Sequence, residues 1–127
     1  MNNILHRDLT QEIIRIFYEV YNELGYGFLE RVYQNALFYE LKANGFDVKA
    51  QHKIKVFYKG IEVGEYICDI LVNELIILEL KAQEQLVEAN EFQLINYLKA
   101  TDYEVGLLLN FGKKAEFKRK IFDNKIK

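Results

Sequence analysis

The chain has 127 residues, of which 50% are hydrophobic and 28% charged, and it contains nine tyrosines and nine phenylalanines. This length predicts a single domain, residues 1–127, and this composition excludes a chain that is disordered throughout. The formal net charge of −2 is not that of a general nucleic-acid binder. We expect a cytoplasmic protein without a membrane span, because no segment resembles a secretory signal or a transmembrane helix, and the single cysteine cannot form an internal disulfide.

The predicted elements follow from hydrophobic periodicity and from the glycines that interrupt it. Helices are expected over residues 9–24, 29–44 and 84–100, and strands at about 48–58, 61–72, 75–82 and 104–111. Asp8 or Thr10 is expected to cap the first helix. The apolar face of the second helix is predicted to include Leu29, Tyr33, Ala36, Leu37 and Leu41, and that of the third Leu86, Ala89, Gln93, Tyr97 and Ala100.

The C-terminal stretch gives a less definite pattern. A short strand or a helix is compatible with residues 117–122. Residues 113–127 hold seven basic and two acidic residues. This charge permits a tail that faces phosphate, although a solvated and frayed terminus is the more ordinary explanation.

The order of these elements, α-α-β-β-β-α-β, predicts an α/β (α+β) domain with a mixed four-stranded sheet flanked by helices. A helix connects the third and fourth strands, so a right-handed crossover would make these two strands parallel.

Three ionisable residues stand where buried apolar residues belong. Asp69 interrupts the apolar segment 66–72, and Glu79 and Lys81 interrupt the segment 76–81. Charged side chains are rarely buried unless they are paired or bind a metal. The ordinary alternative is a structural salt-bridge cluster of Lys81 with Glu79 or Asp69, and the spacing alone does not decide between the two.

The register between these two strands determines whether the carboxylates meet. A two-residue turn at 73–74 would place Asp69 and Glu79 on opposite faces of the sheet. A three-residue loop at 73–75 would pair Val72 with Ile76 and set Asp69 directly opposite Glu79. We predict the three-residue loop or a bulge of equal effect. Two adjacent carboxylates with a nearby lysine then suit a Mg²⁺ site that hydrolyses a phosphodiester.

Several short motifs add to this pattern. Residues 27–33 (GFLERVY) read G-x-x-E-x-x-Y, and they are followed by 69–72 (DILV), 77–82 (ILELKA), 93–98 (QLINYL), 106–112 (GLLLNFG) and Lys118-Arg119. Together and in this order they resemble the bacterial and archaeal GxxExxY protein family, a branch of the PD-(D/E)XK nuclease superfamily. The resemblance covers residues 8–122. Cys68 stands where the superfamily name places proline, and Asn90 where relatives often carry histidine.

The resemblance implies a restriction-endonuclease-like αβββαβ core and a site dependent on Mg²⁺ or Mn²⁺. The implied metal ligands are Asp69, Glu79 and the backbone carbonyl of Leu80. Lys81 takes the position of the catalytic lysine, and Glu30 that of the helix carboxylate completing many such sites. Gln93 and Tyr97 match the Q-x-x-x-Y helix motif of RecB-like nucleases, and Tyr33 shares a helix face with Glu30. The implied roles of Gln93, Tyr97 and Tyr33 are to orient the site or to bind substrate.

Three functions remain open at this point. The leading hypothesis is a metal-dependent nuclease that cleaves nucleic acid, with DNA favoured over RNA, and a homodimer is compatible with so small a domain. The alternative is a catalytically weak or inactive nuclease-fold module that binds nucleic acid or a protein partner. The third is a scaffold in which the charged cluster is an ion-pair network.

Overall fold

The structure is a computed structural model that describes residues 5–127, which form three α-helices, five β-strands and a short 3-10 helix. The helices are α1 (Arg7–Leu24), α2 (Glu30–Ala43) and α3 (Glu88–Lys99), and the 3-10 helix is Asn124–Ile126. The strands are β1 (Val48–Tyr58), β2 (Ile61–Val72), β3 (Ile76–Lys81), β4 (Val105–Phe111) and β5 (Ala115–Ile121). Within residues 5–127, no helix is both apolar enough and long enough to cross a bilayer.

The strands form one mixed sheet in the order β1-β2-β3-β4-β5. Strands β3 and β4 are parallel, which confirms the predicted crossover, and the other neighbours are antiparallel. The sheet therefore has five strands rather than the predicted four. Strand β4 is buried along its whole length. The backbone N–H and C=O groups on the edge of β4 that does not pair with β3 need hydrogen-bond partners, and β5 supplies them. The basic segment is thus an edge strand over residues 115–121 and not a frayed tail.

The sheet lies between two layers of helices. Helices α1 and α2 pack on one face, where Ile13, Phe17 and Leu37 meet side chains of β2, β3 and β4. Helix α3 covers the other face through Leu94 and Leu98. This three-layer arrangement buries both faces of β3 and β4. A charged side chain within β3 therefore has no access to solvent unless the sheet opens beside it.

Two predicted apolar faces are wrong in part. Leu29 is 80% exposed and precedes α2 instead of packing on it. In α3 the buried residues are Leu94 and Leu98, whereas Gln93 is exposed. The physical reason lies in β4, because a Cβ on Gly106 would come within 2.7 Å of Leu94 Cδ1. The absence of a side chain at this glycine lets the helix approach the sheet through Leu94.

The first helix begins differently from the prediction. Its N-cap is His6 in a left-handed conformation, without a side-chain cap hydrogen bond. Both Asp8 and Thr10 lie inside α1, and the Thr10 hydroxyl donates to the carbonyl of Arg7 at 3.0 Å. The predicted cap is therefore wrong, since the helix starts earlier than the apolar stripe indicates.

The β1–β2 hairpin changes face part-way along its length. Val48 packs on the side of α1 and α2, whereas Ile54 and Cys68 pack on the side of α3. Gln51, with φ 52°, lies across from Asp69 between two regular pairs of the ladder. The alternation is interrupted in both strands here, because Ala50 pairs with Ile70 and His52 with Cys68 while Gln51 and Asp69 form no pair. The simple period of two expected for β1 therefore does not hold. Asp69 lies at this point of reversal.

The loop after β4 is closely packed against the exit of β3, which yields a stability prediction. A Cβ on Gly112 would meet the carbonyl oxygen of Gln83 at 2.3 Å and Asn110 Nδ2 at 2.9 Å. We expect Gly112→Ala to lower the free energy of unfolding by about 2–3 kcal/mol, because the obstructing atom is backbone and cannot move aside cheaply. Urea denaturation measures this change.

The matched control is Gly64→Ala. A Cβ on Gly64 meets nothing within 4 Å, so this change is expected to leave stability unchanged or to raise it slightly through the unfolded chain. Equal effects of the two substitutions would contradict the close contact at Gly112.

Candidate active site

The turn between β2 and β3 sets the geometry of the site. Val72 pairs with Ile76, so residues 73–75 form a three-residue loop, and Asn73 and Glu74 both adopt left-handed φ values of 53° and 57°. This confirms the predicted register, in which Asp69 lies opposite Glu79. The regular pairing continues to Ile70 and Leu78 and stops there, just before the two carboxylates.

The Asp69 side chain enters the place where the ladder stops. Its Oδ2 accepts the backbone N–H of Leu80 at 2.7 Å, a bond that continued antiparallel pairing would give to a carbonyl of β2. The strands therefore diverge at this point, and the split lets polar side chains reach an otherwise apolar sheet. The Leu80 side chain itself is buried in the core, so only its backbone takes part in the site.

Glu79 is the most perturbed acid of the site. The pKa of Glu79 is raised to about 8, first by burial and then by the charge of Asp69 and by hydrogen bonding with the Asp69 carboxyl. Its Oε1 is buried and has no hydrogen-bond partner. A carboxylate oxygen in this position retains its full capacity to accept a hydrogen bond or bind a cation.

Lys81 and Glu30 act on Glu79 through their charges. Lys81 lowers the pKa of Glu79 and Glu30 raises it, both as smaller contributions than burial and Asp69. Within residues 5–127, Lys81 is not ion-paired with Glu79 or Asp69. The salt-bridge cluster that the spacing also permits is therefore not formed, and the lysine remains available to a ligand.

Glu30 is placed by a loop that Tyr33 holds. The Tyr33 hydroxyl donates to the carbonyl of Gly25 at 2.6 Å and accepts the N–H of Phe28 at 3.2 Å, and its ring stacks on Phe111 at 4.3 Å. Tyr33 is fully buried. Tyr33 therefore fixes the backbone that leads into Glu30 at the start of α2, and its implied role at the site stays a prediction.

Helix α3 brings one of its two motif residues to the carboxylates. The Tyr97 ring stacks on Tyr66 with centroids 3.5 Å apart. The pKa of Tyr97 is raised by burial and then by the charges of Glu79 and Asp69. Gln93 lies one turn earlier, and its side chain is exposed.

Tyr66 belongs to this region and was not predicted. Its hydroxyl is buried without a hydrogen-bond partner. The pKa of Tyr66 is raised mainly by burial, then by Cys68 and Glu79. Nothing in the sequence marks this tyrosine among the nine that the chain contains.

Asn110 is the second residue that was not predicted. It is fully buried beside Lys81 in the parallel pair of strands, and its amide binds both the N–H and the C=O of Gln83. Asn110 therefore fixes the backbone where it leaves β3. A polar residue inside the apolar strand 105–111 was the signal in the sequence that could have identified it.

The donor set fits a hard divalent cation with few protein ligands. The part of the chain that the structure describes has no group of three or more His, Cys, Asp or Glu side chains arranged to hold a metal. It does have Asp69 beside Glu79, whose Oε1 lacks a partner. Mg²⁺ needs only one or two protein carboxylates, because water and phosphate oxygens complete its shell. The residues present fit such an ion.

Comparison with known proteins identifies the family. A family model described as the PD-(D/E)XK nuclease superfamily matches residues 7–120. The chain belongs to the PD-(D/E)XK nuclease superfamily. The mixed sheet flanked by helices is consistent with the restriction-endonuclease-like fold that the resemblance implied. The match does not distinguish the GxxExxY branch, which stays a prediction.

Solved structures share the fold of this chain. One of them, described as "Crystal structure of SSO0001", is similar over 97% of this chain, with a TM-score of 0.52 and 17% sequence identity. This chain spans 64% of the length of that one. At this identity the likeness concerns the fold alone. A search of curated protein sequences finds no match.

Proposed function

We propose that this chain is a divalent-metal-dependent nuclease that hydrolyses phosphodiester bonds of nucleic acid, with DNA as the favoured substrate. One observation carries the proposal. The Glu79 carboxyl lies beside Asp69, and its Oε1 is buried without a hydrogen-bond partner. Such a pair is electrostatically unfavourable in isolation and is relieved by a cation. Membership of the superfamily supports the same conclusion.

The proposed roles follow from position. Asp69, Glu79 and the carbonyl of Leu80 would hold Mg²⁺ or Mn²⁺, with Glu30 nearby at the start of α2. When bound, the ion would supply Lewis-acid stabilisation of charge on the phosphate. Lys81 would orient the attacking water and offset negative charge on the substrate. Tyr97 would orient these groups from α3, and Gln93, being exposed, would contact substrate.

The first test is calorimetric titration of Mn²⁺ into the wild-type chain and into Asp69→Asn. The substitution keeps the shape of the side chain and removes its charge, so we expect at least about a tenfold loss of Mn²⁺ affinity. Incubation with single-stranded DNA, double-stranded DNA and RNA in Mg²⁺ and Mn²⁺ reports cleavage. The same variant is expected to lose that cleavage.

The matched control is Asp8→Asn, which changes an exposed acidic residue in the first turn of α1. Its Mn²⁺ affinity and cleavage are expected to equal those of the wild type. Mn²⁺ binding and salt-dependent DNA binding without cleavage would instead favour the alternative, a nuclease-fold module that binds nucleic acid. Cleavage by Asp69→Asn at the wild-type rate would overturn the proposed site.

A further inference from the structure

A basic cavity lies between the β1 edge of the sheet and the end of α3. Its volume is about 590 Å³. Four lysines and a histidine line it against one acidic residue, Asp102; these basic residues are His52, Lys53, Lys55, Lys99 and Lys127. The chain as a whole carries a net charge of −2, so this concentration of positive charge is a local feature and not the general character of the surface.

Two of the lysines are not neutralised. Lys55 lies 3.7 Å from Glu62, and Lys127 donates to the carbonyls of Thr101 and Tyr103. Lys53 and Lys99 have no acidic partner within residues 5–127. Unpaired lysines around a concave surface attract anions, because each bound anion relieves their mutual repulsion.

The cavity adjoins the candidate active site through the stacked rings of Tyr66 and Tyr97. Ile54 lines the cavity and is the cross-strand partner of Tyr66. Thr101 also lines it, and its hydroxyl donates to the carbonyl of Tyr97 at 2.8 Å. An anion held here would therefore lie on the far side of the tyrosine pair from Asp69 and Glu79.

We propose that this cavity binds phosphates of the nucleic-acid strand whose phosphodiester is cleaved at Asp69 and Glu79. This inference rests on the proposed function. Lys53 and Lys99 contact the phosphates. Phe57 and Tyr103 also line the cavity, and their aromatic side chains are suited to contact bases of a single strand. Lysines that follow the backbone beside aromatic side chains are the usual means of holding such a strand. The cavity thus provides a local binding site for a polyanion on a protein whose net charge is negative.

The test measures binding separately from cleavage. Fluorescence anisotropy of a labelled single-stranded oligonucleotide is recorded with the chain in EDTA, from about 50 to 200 mM KCl. For Lys53→Gln with Lys99→Gln we expect a loss of affinity of about tenfold or more at the lowest salt. The slope of log K against log[salt] is expected to fall by about 1.4, or about 0.7 for each lost phosphate contact.

The matched control removes the same charge elsewhere. Lys42 and Lys59 each contact an aromatic ring, have no acidic partner within residues 5–127, and do not line the cavity. Lys42→Gln with Lys59→Gln is expected to change the affinity less than about threefold and to keep the slope. The charge-conserving pair Lys53→Arg and Lys99→Arg is expected to keep both, which excludes a loss caused by misfolding.

The outcomes for the cavity and for cleavage are distinct. If the cavity variant and the control variant bind equally, or if the wild type binds no oligonucleotide, the cavity proposal is overturned. If the wild type binds with the expected slope but does not cleave in Mg²⁺ or Mn²⁺, the cavity proposal stands and the nuclease proposal fails. If the wild type cleaves while the cavity variant keeps wild-type binding, the nuclease proposal stands and the cavity proposal fails.

Discussion

Metal-free Glu79→Gln is expected to be more stable than the wild type at about pH 9, by about 2–4 kcal/mol, and to lose Mn²⁺ binding and cleavage. Burial and the neighbouring Asp69 raise the pKa of Glu79 from 4.5 to about 8. The folded chain therefore binds the proton of the Glu79 carboxyl more tightly than the unfolded chain does. The stabilisation is complete below about pH 4.5 and is lost as the pH rises through 8, where the folded state must ionise a buried carboxyl.

The measurement is urea denaturation in EDTA at about pH 5 and pH 9. Glutamine resembles the protonated acid, so the variant and the wild type are expected to agree within about 1 kcal/mol at the lower pH and to separate at the higher one. Mg²⁺ or Mn²⁺ is expected to stabilise the wild type at pH 9 and not the variant, since an ion that binds only the folded state shifts the equilibrium by mass action.

The matched control is Glu62→Gln, which changes an exposed glutamate of β2 that lies 3.7 Å from Lys55. Because exposed ion pairs contribute little, this variant is expected to follow the wild-type pH dependence closely. A Glu79→Gln variant that is less stable than the wild type at pH 9 would refute the raised pKa. It would also contradict the electrostatic argument for a cation beside Asp69 and Glu79.

Lys81→Met is expected to lower the rate of cleavage by about 10²–10⁴-fold while leaving Mn²⁺ affinity equal or higher. A positioned proton-transfer group commonly contributes this much to a rate. The charge of Lys81 lowers the pKa of Glu79, so its removal takes away a cation that would compete electrostatically with the metal. Single-turnover cleavage and calorimetric Mn²⁺ titration measure the two quantities independently.

Two further variants define the role of this lysine. Lys81→Arg keeps the positive charge, so recovery of most of the rate would indicate electrostatic stabilisation, and continued loss would indicate a specific contact to water. Lys42→Met, on the exposed side of α2, is the control and is expected to be unaffected. A Lys81→Met variant that cleaves at the wild-type rate would exclude Lys81 from the reaction.

Most of the elements could be predicted because the sequence has clear periods. The helix in residues 7–24 and the buried strand in residues 105–111 each follow from a continuous pattern of side chains. The failures have local physical causes. The hairpin changes face where Gln51 and Asp69 leave the ladder unpaired, and Gly106 allows Leu94 into contact with β4. The spacing of apolar residues alone predicts neither effect.

The pairing of Asp69 with Glu79 could be predicted from the loop length and from the apolar strands around them. Charged residues in two strongly apolar strands have to be accommodated, and the arithmetic of a three-residue loop places Asp69 opposite Glu79, as the pair Val72 and Ile76 confirms. Tyr66 could not be found in this way. Its importance depends on a hydroxyl left without a partner in the folded chain, which is a property of packing and not of residue type.

The sequence by itself determined which residues are available for chemistry and on which strands they lie, because residue type and alternation are local properties. Only the tertiary structure decided what each of them experiences. Strands β2 and β3 separate beside Asp69, so Leu80 binds a carboxylate and one oxygen of Glu79 is left free. The basic cavity likewise joins residues of β1 with residues beyond α3, which are distant in the chain. Such environments arise from long-range packing, which sets burial and charge separation and therefore pKa and affinity.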